Sequence, residues 1–176
     1  MVAQDGFDRL SVRTVARAAQ VSGGTVQHHY ATREALLIAA FARTVQNITA
    51  RLAEVDLGGP LPGALGVLCR QLLPLDEERR RECAVWTALT AAAATHPDLA
   101  AEHARALGLF LDAVAAALAD AQDAGEVPAG IDPVATAAIV AAAVDGLTLH
   151  GVAGSRTGPE LTATLDALLA ALLTER

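Results

Sequence analysis

The run Val21-Ser22-Gly23-Gly24-Thr25-Val26-Gln27-His28-His29-Tyr30-Ala31-Thr32-Arg33-Glu34-Ala35-Leu36-Leu37, with the alanine-rich segment Val12 to Ala19 just before it, decides the fold. A short helix, a tight turn and a second short helix facing outward with hydroxyl, amide and imidazole groups is the pattern of a helix-turn-helix that reads DNA.

In the first helix Val12, Val15, Ala16 and Ala19 recur at spacings of three, one and three, which at 3.6 residues per turn puts them on one face, expected to be buried. Ser11, Arg13, Thr14 and Arg17 lie on or near the other side, where an arginine reaches a phosphate or a guanine edge. For Arg17 a solvated helix face reads equally well. Gln20 and Val21 are expected to make the turn, Val21 plugging the angle between the helices and Ser22 capping the second one. Gly23 and Gly24 then fall in its first turn, where each costs roughly 1 kcal/mol against alanine. Bare amides at the positive end of a helix dipole compensate by letting a phosphate come close. Beyond them Thr25, Gln27, His28 and His29 present donors and acceptors, Gln27 with the bidentate geometry that suits adenine, while Val26 and Tyr30 pack or half-pack. His28 and His29 point about 100° apart on a helix and no third ligand has suitable spacing, so a metal site is disfavoured. Thr32 is read as the next N-cap. Arg33, a cation in that helix's first turn, opposes the dipole, and a phosphate partner accounts for it.

The segment from Asp5-Gly6-Phe7-Asp8-Arg9-Leu10-Ser11-Val12-Arg13 through Leu37 resembles the DNA-binding domain of the tetracycline-repressor (TetR) family. The resemblance implies phosphate contacts from Ser11, Thr25, His29 and Arg33, and base contacts chiefly from Arg13, Gly23, Gly24 and His28. It departs at Gln27, where the family usually has a tyrosine, and in its first helix, for which only Met1 to Asp5 remain. Loss of that helix is expected to expose apolar surface on Phe7, Leu10, Val15 and Val26.

The 176 residues suffice for a small reading head plus one helical domain. Hydrophobic residues make up 53%, aromatics only 3%, and lysine is absent, which favours closely packed helices and an all-α fold. The net charge of −7 argues against nucleic-acid binding along the whole surface. Through residue 45, however, five arginines stand against Asp5, Asp8 and Glu34, giving +2 and leaving −9 for the remainder. A basic head on an acidic body fits localised DNA contact. Cys69 and Cys83 lack CxxC spacing and sit in apolar surroundings, so reduced core thiols are expected. No charged-then-apolar leader is read. No apolar stretch of about 18 residues runs free of charge, since Asp145 and the arginine clusters interrupt the candidates. The expectation is a cytoplasmic protein without a membrane partner.

From Arg33 a long helix is expected to about Val55, with Leu37, Phe41, Val45, Ile48, Leu52 and Val55 on one face and Gly58-Gly59-Pro60 as its stop. A short helix follows from Leu61 to Leu73, ending before Pro74. Asp76 caps the next, whose Arg79-Arg80-Arg81 run suits an acidic partner but, flanked by glutamates, fits a solvated surface better. A further long helix is expected from Pro97 to about Ala124 with Gly125 as its stop. Asp132-Pro133 then opens one that ends at Gly151, and Gly158-Pro159 opens the last. Leu161, Leu165, Leu168 and Leu172, widened by Leu169 and Leu173, together with Ala137, Ala138, Ala141 and Ala142, predict that the last two helices pair with a second copy in a four-helix bundle. The other reading is a stripe that covers its own core. The domain division expected is a shortened helix-turn-helix head over 1–40 and a helical ligand-binding and dimerisation domain over 41–176.

The stretch from Glu82-Cys83-Ala84-Val85-Trp86 through Gly125 to Val144-Asp145-Gly146-Leu147 resembles the C-terminal domain of the betaine-pathway repressor (BetI-like) subgroup. That resemblance implies a small-molecule cavity coupled to the reading heads, for which Trp86, Thr87, Thr90, Phe110, Asp145 and His150 are the candidate lining residues. Asp145 stands out, because a carboxylate in an apolar helix needs a partner; a cationic ligand, His150, water or a backbone amide each qualifies. Glu102, His103 and His96 offer acid–base groups, yet no nucleophile motif, HExxH, phosphate cradle or paired carboxylate site accompanies them, so no enzyme and no cofactor is read. The expected function is a transcriptional regulator, a repressor that binds double-stranded DNA as a homodimer and is released by a small-molecule effector. The alternative is a helical ligand- or protein-binding dimer that does not read DNA.

Overall fold

A computed structural model describes residues 11–54 and 59–174. Among them are eight helices: α1 (Val12–Ala19), α2 (Gly23–His29), α3 (Arg33–Ala53), α4 (Leu61–Gln71), α5 (Glu77–Ala93), α6 (Pro97–Asp123), α7 (Pro133–Val152) and α8 (Gly158–Leu173). The fold is all-α, with no strand among the described residues. The readings at Phe7, Leu10, Val55 and Gly58 lie outside them.

Helix starts follow the capping residues. Ser11 caps α1, its Oγ accepting from the Thr14 amide at 3.2 Å, and Thr14 Oγ1 reciprocally accepts from the Ser11 amide at 3.0 Å. Ser22, Thr32, Asp76 and Asp132 cap α2, α3, α5 and α7 with side-chain oxygens. Prolines stand in the first turns of α6, α7 and α8, where their missing amide costs nothing. Gly125 and Gly154, at φ 73° and 74°, follow the ends of α6 and α7 in the left-handed conformation that glycine adopts without strain.

Two apolar clusters hold the elements. The larger takes Leu65, Cys69 and Leu73 from the α4 segment, Val114 and Leu118 from α6, Val140, Val144 and Leu147 from α7, and Leu161, Leu165, Leu169 and Leu173 from α8. The smaller joins Ala16, Val26, Leu36, Leu37 and Phe41 to Leu89 and Ala92 of α5 and Leu99 of α6. The helix-turn-helix therefore rests on the far end of the body, and α3 runs without a break through residues 40 and 41. Where α7 passes the α4–α5 connection, side chains pack directly onto its backbone: a Cβ on Gly151 would collide with Pro74 Cγ and lie 2.8 Å from Leu161 Cδ1.

Several expectations are corrected. Ala19 is exposed, because α1 ends there and its last turn overhangs the cluster. Val21 is 44% exposed and plugs nothing. The turn is held by backbone instead, with Gln20 in the left-handed region at φ 56° and the Val21 amide bonded to the Ala16 carbonyl at 3.0 Å. Val26 is buried at 6%, covered by α1 and α3. The α8 leucines that are buried are Leu161, Leu165, Leu169 and Leu173, one residue per turn, and they face the chain's own core; Leu168 and Leu172 are half-buried beside them. The apolar face left uncovered belongs to α7: Val134, Ala138, Ile139, Ala142 and Leu149 are exposed, at spacings that keep them on one side of the helix. α7 is also the one helix among the described residues long and apolar enough to cross a membrane by length and composition. Its other face is packed into the core through Ala137, Val140, Val144 and Leu147. The arginine run is mostly spent within the chain, Arg80 donating to the carbonyls of Gly151 and Val152 at 2.7 and 2.8 Å, where a cation satisfies the end of α7. Arg79 bonds Asp76 and the Arg70 carbonyl.

Candidate DNA-reading head and ligand cavity

The head leaves most of its candidate residues open to solvent. Arg13, Ser22, Gly23, Gly24, Thr25, Gln27, His28, His29 and Tyr30 are all exposed, and within α2 only Val26 turns inward. Ser22 Oγ accepts from the Thr25 amide at 3.0 Å and shares a hydrogen bond with Thr25 Oγ1 at 2.8 Å, so the cap also fixes the threonine rotamer at the tip. His28 and His29 contact edge to face with centroids 5.3 Å apart, and Tyr30 follows at 6.4 Å. Ser11 and Arg33, both half-buried, mark the starts of α1 and α3 on either side.

Nothing among the described residues requires Gly23 or Gly24 to be glycine. Neither has a positive φ. A Cβ on Gly23 would meet nothing within 4 Å, and one on Gly24 only Ser22 Oγ at 3.7 Å. Two helix-weakening residues that neither a turn nor packing requires leave the backbone bare toward solvent, where a flat or convex partner can come into contact with it.

The body carries a partly open cavity of about 870 Å³, within the size range of small-molecule sites. Phe41 and Ile48 of α3, Leu65 and Leu68 of α4, Trp86 of α5, Phe110 and Val114 of α6, and Asp145 of α7 are among its wall residues. Of the expected lining residues, Trp86, Phe110 and Asp145 are there. Thr87, Thr90 and His150 are not. Thr87 follows Trp86 by about 100° around α5 and turns its hydroxyl to the Cys83 carbonyl. Thr90, exposed, lies a turn beyond the cavity's end and bonds the Trp86 carbonyl. His150 is exposed, five residues after Asp145 and so round on another side of α7.

Asp145 is partnered by neither His150 nor a backbone amide: Trp86 Nε1–H donates to its Oδ1 at 2.7 Å. Trp86 itself packs against Phe41 and His103, with ring centroids 5.5 and 5.0 Å away. Burial pushes the Asp145 carboxyl above its ordinary range, opposed by the indole hydrogen bond and by the nearby His103. Sequence reasoning missed Glu82. It is 7% exposed, lines the cavity, and accepts from Arg51 Nη2 of α3 at 2.7 Å. That guanidinium also donates to the Gln71 carbonyl at 3.1 Å. The cue was present in Glu82 and Trp86, four apart and hence on one face of α5. Cys69 and Cys83 are buried free thiols whose burial pushes each up to about 12, so neither is a nucleophile at neutral pH.

Comparison with known proteins agrees with both halves of this picture. Residues 1–40 match the bacterial regulatory proteins of the tetR family, and residues 64–174 match the BetI-type transcriptional repressor C-terminal domain. A transcriptional regulator from Rhodococcus sp. Rha1 is 34% identical and superposes with a TM-score of 0.87, over 97% of this chain and 89% of that one. A regulator from Saccharomonospora viridis, solved in complex with choline, shares the fold at a TM-score of 0.89 and 21% identity, over 99% of this chain and 92% of that one. The HTH-type transcriptional regulator PksA of Bacillus subtilis is 30% identical over 101 residues, 56% of this chain but only 49% of PksA, so the match spans about half of that relative's length. With both its reading head and its cavity-bearing body matched, the chain belongs to the TetR family of transcriptional regulators and carries a BetI-type C-terminal domain.

Proposed function

We propose that the protein is a repressor that binds a palindromic operator as a homodimer and leaves it when a small molecule fills the body cavity. The observation that carries the DNA half is the pair of unforced glycines at the tip of an otherwise polar, exposed α2. On this reading Gly23 and Gly24 admit the DNA backbone or a base edge, and Arg13, Gln27 and His28 read bases. Ser11, Ser22, Thr25, His29, Tyr30 and Arg33 position the head on phosphates. The second copy docks on the uncovered α7 face of Ala138, Ile139, Ala142 and Leu149, since small residues between larger ones let like helices cross closely about a two-fold axis. Such a pairing sets two heads at the spacing of half-sites about one DNA turn apart. The division into a head over 1–40 and a body over 41–176 belongs to this proposal, as does a cytoplasmic location, where the DNA is.

The test is selection of duplexes from a random-sequence pool, followed by titration at several salt concentrations. The reading predicts an inverted repeat, two chains per duplex, and a loss of about 0.9 log units of affinity per phosphate contact for each log unit of salt. Arg33→Ala weakens all duplexes alike, whereas His28→Ala and Arg13→Ala change the preferred bases. Recovery of no sequence preference sinks the DNA half and leaves a ligand-binding helical dimer.

A further inference from the structure

The Arg51–Glu82 contact is half made. Glu82 Oε2 takes the Arg51 Nη2 bond, but Glu82 Oε1 and Arg51 Nε are both buried and have no hydrogen-bond partner among the described residues. A guanidinium and a carboxylate can form two parallel bonds. Here they form one, although a buried carboxylate pays for every bond it lacks. This under-bonded carboxylate belongs to a cavity wall whose other charges are mostly negative: Asp120, Glu126 and Asp145 also line it, against Arg105, which is held by Glu102. One turn along α5, Trp86 supplies an aromatic face, and Asp145 is bonded to it.

We propose, building on the ligand-released reading above, that Glu82 is the acceptor for a protonated amine carrying at least one N–H, and that Arg51 transmits the amine's arrival to α3. The carboxylate turns its sealed Oε1 toward the cavity, where the amine's N–H gives it its missing bond, and the amine's hydrocarbon part lies against Trp86 and the apolar wall. With a second cation on Glu82, the pull on Arg51 weakens. Arg51 sits in the last turn of the same helix whose first turn begins at the reading head, so a slackened contact lets α3 tilt. A quaternary ammonium of equal charge has no N–H and gains only the attraction of charge and ring.

The experiment uses the full chain and three probes: protonated n-hexylamine, trimethylhexylammonium and hexan-1-ol, followed through the fluorescence of Trp86, the sole tryptophan. Protonated hexylamine is expected to bind about tenfold or more tighter than either other probe, the worth of one charge-assisted hydrogen bond. Glu82→Gln, which still accepts from Arg51 but turns an amide donor to the amine, should erase that preference. Arg51→Gln keeps a donor toward Glu82 without the charge; it should retain hexylamine binding while the ratio of duplex affinities with and without hexylamine falls toward one. Circular-dichroism melts establish that both variants fold. Equal binding of the amine and the quaternary probe, no binding of the amine, or a preference that survives in Glu82→Gln overturns the acceptor. An undiminished effect of hexylamine on duplex binding in Arg51→Gln overturns the transmission. If the wild-type chain selects no duplex at all, the DNA reading and the transmission fall together, and the acceptor is judged by fluorescence alone.

Discussion

The head and the body use the same material in opposite ways. In α2 the candidate DNA-contacting side chains are open to solvent and a single buried residue, Val26, anchors them. In the body the candidate ligand-binding groups Trp86, Phe110 and Asp145 line a space that five helices leave unfilled. The first arrangement asks little of packing and exposes backbone. The second removes atoms from the middle of a core that must still be stable. Phe41 belongs to both, fully buried in the head's cluster and lining the cavity beside Trp86. A binding head can thus be small, provided that the body carries its foundation.

The contrast yields four tests. Phe41→Ala removes a shared wall and should cost about 3–5 kcal/mol in chemical denaturation, with head and body losing structure together. A head that melts separately from the body breaks the idea of a shared foundation. Glycine-to-alanine exchange then separates the regions by sign. Gly151→Ala drives a methyl group into Pro74 and Leu161 and should destabilise by about 1–3 kcal/mol in the same assay. Gly23→Ala, with open space around it, should stabilise by about 0.5–1 kcal/mol. The same change should weaken binding to a selected duplex about tenfold or more, as a lost close approach worth ~1.4 kcal/mol does. Unchanged duplex binding in Gly23→Ala removes the case that the glycines serve a partner.

The smallest effect concerns Asp145. Because burial raises its pKa in the folded protein, the folded state takes up the proton before the unfolded chain does, and stability falls as pH rises from the ordinary carboxylate range through the raised value. Asp145→Asn, which still accepts from Trp86, should melt slightly higher than wild type at about pH 7, with the gap closing toward about pH 4. A variant that melts lower at neutral pH indicates that the charge is better solvated than its burial implies.

Local chemistry made the head legible. Ser22, Thr32, Asp76 and Asp132 each cap a helix through neighbours within three residues, and Gly125 ends one through its own φ, so no distant contact is needed to place them. The cavity depends on long-range packing. Trp86 and Asp145 are 59 positions apart, and the hydrogen bond between them fixes a wall that periodicity within either helix does not reveal. For the same reason Thr87, Thr90 and His150 were misplaced: proximity in sequence to a true wall residue says nothing about phase around the helix. Leu161, Leu165, Leu169 and Leu173 misled because a broad apolar stripe looks the same whether it faces its own core or a second copy. The difference lies in α4, α6 and α7, which claim the stripe. Val21 failed differently, since backbone hydrogen bonding did the work expected of its side chain.

α7 is one helix, about 10 Å through with its side chains. Asp145 borders the cavity, and Leu149, one turn on, lies on the same side of this rod at the edge of the bare apolar strip that Ile139 continues round the helix. In a two-fold assembly on that strip, the chambers of the two protomers are separated by little more than a pair of such rods. Occupancy of one chamber then presses on the wall of its neighbour, and saturation curves for the assembled protein should depart from the hyperbola of an isolated site.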